Sequence, residues 1–434
     1  RNYTNGAAVF GFLRIDGILR TILMGAESEQ PDIVALVKPF FDQLIAPIQS
    51  VSFASGWSKE GSFLNGMLDL SENPGPAWQT VAADKQLAEY IPEGATAFSL
   101  AGANLDPGIQ ALLDMVDRVA AFQPEGLPMP LGQMMQMEAP ELHAWILGAH
   151  RAEMQSALLG LGQRSFSYSV PTGSMGSESL SFFELDDAAA LSSLMEQLLP
   201  RLRVALNDSE SPVKLEMRRA KRKVTQADGS VTEVAGPAYY WMDFELPPQA
   251  AQIMGMLNVK FEPAMGIAPE GWLVMSLSRE SVANVLREGM RKPDASILEN
   301  KDAASFLAKL PKGASSAAWS DPRPAAAAAL GMIGGMLPMV ASMAGELPIP
   351  VNLNAFPAPD VFIRNMRTSE SWSWVQHGER MSRSVGSMNL ADLFTVVAAA
   401  VAITPPMIGI VMPMLQGMDD SASEPEDSEG GVEF

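Results

Sequence analysis

Apolar positions along this chain switch repeatedly between a period of two and a period near four, and the switches set out its elements. Gly6–Leu13 predicts a strand. Pro31–Ile45 carries Ile33, Leu36, Val37, Phe40, Phe41 and Leu44 at helical spacing. Val51–Trp57 and Ser62–Leu70 predict a hairpin around polar Ser58-Lys59-Glu60-Gly61. Trp78–Tyr90 predicts a short helix stopped by Pro92 and Gly94. A strand at Ala95–Leu100 and a helix at Pro107–Ala121 follow, then a loop over 122–137 and a second helical stretch, Pro140–Leu161. Ser165–Val170 and Glu178–Leu185 predict another hairpin, and Asp186–Val204 a helix with a basic last turn.

Further on, Val224-Thr225-Gln226 and Ser230-Val231-Thr232 flank Asp228-Gly229, a pair that tolerates positive φ and so predicts a hairpin within 213–246. Gly271–Leu277 predicts a strand and Ser278–Met290 a helix capped by Ser278. Val361–Thr368 and Ser371–Val375 are expected to pair, with Glu379–Met388 as a third strand.

One phrase recurs. Ile91-Pro92-Glu93-Gly94-Ala95 releases an apolar strand, and so does Leu310-Pro311-Lys312-Gly313-Ala314. Asp84–Tyr90 precedes the first and Asp302–Leu310 the second; Asp106-Pro107 and Asp321-Pro322 follow the strands. Pro269-Glu270-Gly271 is a third such turn. A repeated strand-plus-helix unit accounts for this. The expected fold class is α+β: antiparallel sheet with packed helices, in two related lobes at 1–205 and 300–418, a β-hairpin-rich insert at 206–299 and an acidic disordered tail at 419–434.

Composition narrows the function classes. The 434 residues hold 30 Lys and Arg against 50 Asp and Glu, a formal net charge of −20. Phosphate binding needs a basic surface, so nucleic acid is not an expected partner. The absence of cysteine excludes disulfides, thiolate nucleophiles and zinc–thiolate sites. The 28 methionines fall inside Leu/Ala-rich runs and read chiefly as core filling. The first residue is Arg1, so a targeting segment is expected to have been removed. Pro324–Gly345 and Leu393–Met418 carry no charge and are long enough to cross a bilayer. Pro405-Pro406 removes two backbone donors in the middle of the second, so buried elements are preferred to membrane contact through 393–418.

Candidate chemistry is sparse. His143 and His150, with Glu153 beyond, share a helical face if Pro140–Leu161 is one helix; two polar-face histidines are the preferred reading, with a metal as the alternative. His377 sits in a turn, Gln376-His377-Gly378. No nucleophile elbow, phosphate loop or dinucleotide fingerprint occurs. Arg218-Arg219-Ala220-Lys221-Arg222-Lys223 is strongly basic and reads as an exposed edge strand, with an anion-docking site as the alternative. No catalytic, cofactor-binding or metal residue is assigned, and no cofactor is expected.

The Leu/Ile-Pro-x-Gly-Ala turns resemble a pattern in bacterial cell-envelope proteins grouped only as domains of unknown function. The hairpin Ser371-Trp372-Ser373-Trp374 running through Gly378 into Ser382-Arg383-Ser384-Val385-Gly386-Ser387-Met388 adds to the likeness, as does the apolar close ending in Pro406. The resemblance implies an extracytoplasmic location, in the periplasm or at the cell surface, and an α+β repeat fold; it implies no activity. The expected function is a non-enzymatic structural or interaction protein of the envelope. The alternatives are a carrier of an apolar, lipid-like ligand between curved sheets and Met-rich helices, and a carboxylate-based hydrolase.

Overall fold

The computed structural model describes residues 7–29, 31–59, 61–123, 127–172, 176–207, 213–225, 231–244, 261–327, 363–364, 366–376 and 379–386. Their strands join one antiparallel sheet. In chain order these are β1 (Ala7–Arg14), β2 (Ile48–Ser58), β3 (Gly61–Leu70), β4 (Ala97–Gly102), β5 (Leu161–Thr172), β6 (Gly176–Leu185), β7 (Val213–Thr225), β8 (Val231–Phe244), β9 (Ala264–Ala268), β10 (Trp272–Ser276), β11 (Ser316–Ser320), β12 (Ser369–Gln376) and β13 (Glu379–Gly386). Across the sheet the order is β1-β2-β3-β13-β12-β11-β4-β5-β6-β10-β9-β8-β7. The fold is α+β, as the alternation of periods predicts.

The helices are α1 (Ile15–Glu29), α2 (Pro31–Leu44), α3 (Asp106–Ala121), α4 (Leu131–Glu138), α5 (Pro140–Ile146), α6 (Arg151–Leu159), α7 (Ala188–Asn207), α8 (Arg279–Glu288) and α9 (Lys301–Lys309). Several depart from expectation. The helix expected over Trp78–Tyr90 is two short 3-10 segments, Pro76–Trp78 and Lys85–Tyr90. The expected loop over 122–137 contains most of α4. The helix expected over Pro140–Leu161 is broken into α5 and α6, because the chain leaves helical geometry at Leu147 and restarts after His150. The hairpin expected from Val361–Thr368 with Ser371–Val375 is instead β12 with β13, paired from Glu370 with Val385 to Gln376 with Glu379. Ser278 caps α8 as expected, its hydroxyl accepting from the Ser281 N–H at 3.4 Å.

The strands that follow the two recurrent turns meet at the middle of the sheet, with the turns at opposite ends of the pair. Ala95 N–H donates to Pro92 O at 3.0 Å, and Ala314 N–H to Pro311 O at 3.1 Å. Their strands, β4 and β11, then pair with each other, Ser99 standing opposite Ala318. The bonds around them match in kind. Thr96 N–H donates to Ser169 O and Ser315 N–H to Ser373 O, both at 2.8 Å. Asp321 N–H donates to Thr96 O at 2.7 Å, and Gly102 N–H to Ser315 O at 2.8 Å. The turns differ at glycine: Gly313 has φ 78°, a conformation that a side chain disfavours. The sheet is continuous across the expected boundaries near 205 and 300.

One face of the central strands is the main core. Phe98, Leu100, Phe166, Phe182, Val274 and Trp319 lie on it, with Val282 and Leu286 of α8 and Phe306 of α9 against them. Phe98 and Trp319 stack with centroids 5.7 Å apart, and Phe166 and Phe182 at 4.4 Å. Each fully buried side chain of this size stabilises the fold by about 1.5–3 kcal/mol. A second cluster lies on the opposite face at the β7–β10 end, where Trp145, Leu191, Leu194 and Met195 of the helices cover Leu215 and Tyr240. Methionines 154, 195, 217, 242 and 265 are in or against that cluster, the core-filling role expected of them. No described helix is long and apolar enough to cross a membrane. The uncharged stretches lie outside the described residues, apart from the first few positions of Pro324–Gly345, and so does the 419–434 tail.

Candidate functional site

Alternation decides what the other face of the central strands carries. Through the middle of β4, β5, β6, β11, β12 and β13 the residues opposite the core are mostly serine and alanine, with larger side chains such as Phe183 and Arg380 toward the strand ends. Register carries one row across the sheet: Ser384, Ser371, Ala318, Ser99, Ser167 and Ser181 stand side by side. The next row reads Ser382, Ser373, Ser316, Ala101 and Ser165. A third holds Ser369, Ser320, Ala97, Ser169 and Ser179. Almost all are half-buried. At both ends the rows turn apolar, to Leu64 on one side and to Met275, Met265 and Tyr240 on the other. The result is a hydroxyl belt down the middle of the sheet.

The belt's hydroxyls largely satisfy one another. Ser99 and Ser167 are 2.8 Å apart, Ser169 and Ser179 2.7 Å, and Ser316 and Ser373 2.7 Å. Two serines outside the belt add to this: the hydroxyl of Ser315, just before β11, reaches Ser373 at 3.0 Å, and that of Ser276, opposite Leu180 on the core face, donates to Ser179 O at 2.8 Å. Such cross-strand hydroxyl pairs stabilise a sheet modestly. Activating a serine needs a base within hydrogen-bond reach, whereas the bonds of Ser99, Ser167, Ser169, Ser179, Ser316 and Ser373 run to serine hydroxyls or backbone. Small side chains are also a steric requirement here: a Cβ on Gly66 would lie 2.5 Å from Ser382 Oγ.

The sequence-derived candidates lie elsewhere. The break between α5 and α6 removes the common helical face expected for His143 and His150. His150 stacks on Trp145 with centroids 4.3 Å apart, and its Nδ1 lies 3.3 Å from Glu153. Among the described residues no group of three His, Asp or Glu side chains is placed to hold a metal. His377 lies outside the described residues. Arg218–Lys223 lies on β7, the last strand in the sheet order, as expected of an edge. Three of its cations are nevertheless engaged: Arg218 lies over the Trp241 ring at 5.9 Å, Arg219 pairs with Glu196 at 3.4 Å and Lys221 with Glu233 at 3.6 Å.

Paired carboxylates occur in two settings. Asp84 and Glu184 grip Arg164, which donates from Nε to Glu184 and from a terminal nitrogen to Asp84, both at 2.8 Å. The side-chain bond from Arg164 holds the Glu184 carboxyl below its ordinary range, the wrong direction for a general acid. Glu178 is shifted the other way, first by burial and then by the charge of Glu280 at the start of α8. Tyr168, buried on the core face, is pushed up to about 12 by desolvation and then by Glu178.

A small recess of about 290 Å³ opens beside β4, lined by Ala82, Ala83, Leu100, Leu310, Pro311 and Ala314, with Lys85 and Lys312 at its mouth. Lys85 Nζ donates to Leu307 O at 3.0 Å, so one of the two cations is already held by the fold.

Sequence reasoning missed the belt although its signal was present. Ser-x-Ser-x-Ser runs through 165–169, 177–181 and 369–373, a period of two in a polar residue, but attention to apolar periodicity passes over it.

No family model matches the chain, and no curated protein matches it. Among solved structures, the "Structure of crystal form III of TP0453" aligns with 72% of this chain and 85% of its own, at 10% identity and a TM-score of 0.24. A similarity that low carries no argument about fold or function.

Proposed function

We propose that this is a non-enzymatic interaction protein of the bacterial cell envelope, acting outside the cytoplasm, whose serine belt is the surface it presents to a protein partner. The hydroxyl belt carries the reading. It is uncharged and half-buried, built of short side chains that lose little rotamer freedom on contact, and its hydroxyls both donate and accept. The absence of cysteine is compatible with the oxidising compartment that the turn motifs suggest. Two related lobes, at 1–205 and 300–418 around the 206–299 insert, account for the matching bonds of the Gly94 and Gly313 turns: duplication of one unit places like strands, β4 and β11, face to face at the centre.

A photo-crosslinking residue at Ser181, compared with one at exposed Glu138, tests the proposal in cells of the source organism. One defined protein crosslinked from position 181, absent from position 138 and lost on Ser167→Arg, is the expected result. Equal crosslinking from both positions removes the belt as the surface. Fractionation of the same cells checks the location; a cytosolic pool alone removes the envelope assignment.

A further inference from the structure

At one corner of the belt a single cation stands among apolar side chains. Register places Arg380 of β13 between Leu68 of β3 and Val375 of β12, and Leu68 leads on to Val51 and Leu13. In this row, Leu13–Val51–Leu68–Arg380–Val375, the guanidinium is the one charge. Arg380 is half-buried, and among the described residues it has neither an ion-pair partner nor a hydrogen-bond acceptor; burial is the sole influence on its pKa, which it lowers. Arginine stays charged in proteins, so it cannot shed that cost by losing its proton. A cation drawn out of water and left unpaired asks for an anion. Ser382, the next residue on the same face, adds a hydroxyl beside it.

We infer that Arg380 and the apolar row beside it form a binding site for a fatty carboxylate, the head group on the guanidinium and the chain lying across β3, β2 and β1. The forked donors of arginine match a carboxylate in two parallel bonds. From Arg380 to Leu13 the row crosses three strand spacings, about 14 Å at ~4.8 Å each, roughly the reach of a laurate chain. The far end of the row is open: Leu13 is 52% exposed and Phe53, on the same face, 43%. The Phe53 ring lies over Gly11, where a Cβ would come within 2.2 Å of it, and so adds apolar surface to that end. The site goes beyond the partner surface proposed above: it shares β12 and β13 with the belt but uses Val375 and Arg380, outside the three serine rows, so either can fail alone.

Titration calorimetry of the full chain with laurate, below the concentration at which it forms micelles, tests the site. Expected are saturable binding of one laurate per chain and at least tenfold weaker binding of dodecanol, which has the same tail without the charge. Arg380→Met should weaken laurate at least tenfold, and Arg380→Lys less. Replacing an unpaired charge with Met need not harm the fold; if that variant fails to fold, the laurate–dodecanol comparison on the unaltered chain still decides. Four results overturn the inference: no laurate binding, dodecanol as tight as laurate, Arg380→Met unchanged, or inorganic phosphate matching laurate, which would mark a bare anion site.

Discussion

The two faces of the same six central strands are built on opposite plans. On one face Phe98, Phe166, Phe182 and Trp319 interlock with helices α8 and α9 and are almost wholly buried. On the other, the intervening residues are mostly serine and alanine, half-buried, several of them bonded across strands. Neighbouring residues one position apart along β4 and β5 therefore do different work: Phe98 packs and Ser99 pairs, Phe166 packs and Ser167 pairs. The core face supplies stability through apolar area, while the belt supplies little stability and presents short hydroxyl side chains. The pleat thus separates the face that supplies stability from the face proposed for recognition, so each can be altered with limited effect on the other.

That division is most easily broken from the core side. Trp319→Ala removes a stacked ring that is 1% exposed and should cost about 3–5 kcal/mol in denaturant unfolding. A loss near zero would mean that the core face is not what holds the strands together.

Arg164 comes next. Arg164→Met frees Asp84 and Glu184 from their shared cation and should cost about 1–2 kcal/mol near neutral pH, discounted because the guanidinium is partly exposed. The pH dependence follows from direction. The folded Glu184 pKa lies below its unfolded value, so its contribution is present above the usual glutamate pKa of about 4.3 and lost as pH falls through the folded value. Melting temperature against pH should therefore show a shallower acid limb in Arg164→Met than in the parent; parallel limbs would deny the link.

Glu178 gives the opposite sign and a smaller effect. Its folded pKa is raised, so its ionisation favours the unfolded chain as pH rises past the unfolded value. Glu178→Gln should melt slightly higher than the parent at pH 7 and match it near pH 3. A lower melting point at pH 7 would show that the carboxylate is wanted, and would bring the carboxylate hydrolase back into view.

The smallest effects belong to the belt and the far edge. Ser99→Ala with Ser167→Ala removes both members of one hydroxyl pair and should change stability by less than about 0.5 kcal/mol, since replacing both partners leaves no orphan. Arg219→Glu with Lys221→Glu should change stability equally little, because exposed ion pairs contribute little. It should nevertheless raise aggregation measured by light scattering, because β7 is an unpaired edge. Unchanged solubility would remove the protective role given to that cluster.

Much of the fold was legible in the sequence because local rules govern it. The period-of-two runs marked β4, β5, β6 and β10, the Ser278 cap marked α8, and the Pro-x-Gly-Ala turns marked where β4 and β11 begin. Where apolar spacing was ambiguous, local rules failed. Residues 140–161 have helical spacing throughout, yet Gly148 adapts to a break that packs Trp145 under His150. The chain alone also determined the absence of thiol chemistry, the acidic balance and the serine alternation, since these are properties of residue type and order. Only the tertiary structure decided that β4 and β11 pair at the centre, that serines from two hairpins and from this pair align into one belt, and that Arg380, beside Leu68, has no partner among the described residues. Those depend on register between strands hundreds of residues apart, such as Ser62 with Gly386 and Ser99 with Ala318. Register is fixed by the packing of a whole face, because a slip of one residue would move every phenylalanine of the core onto the serine side.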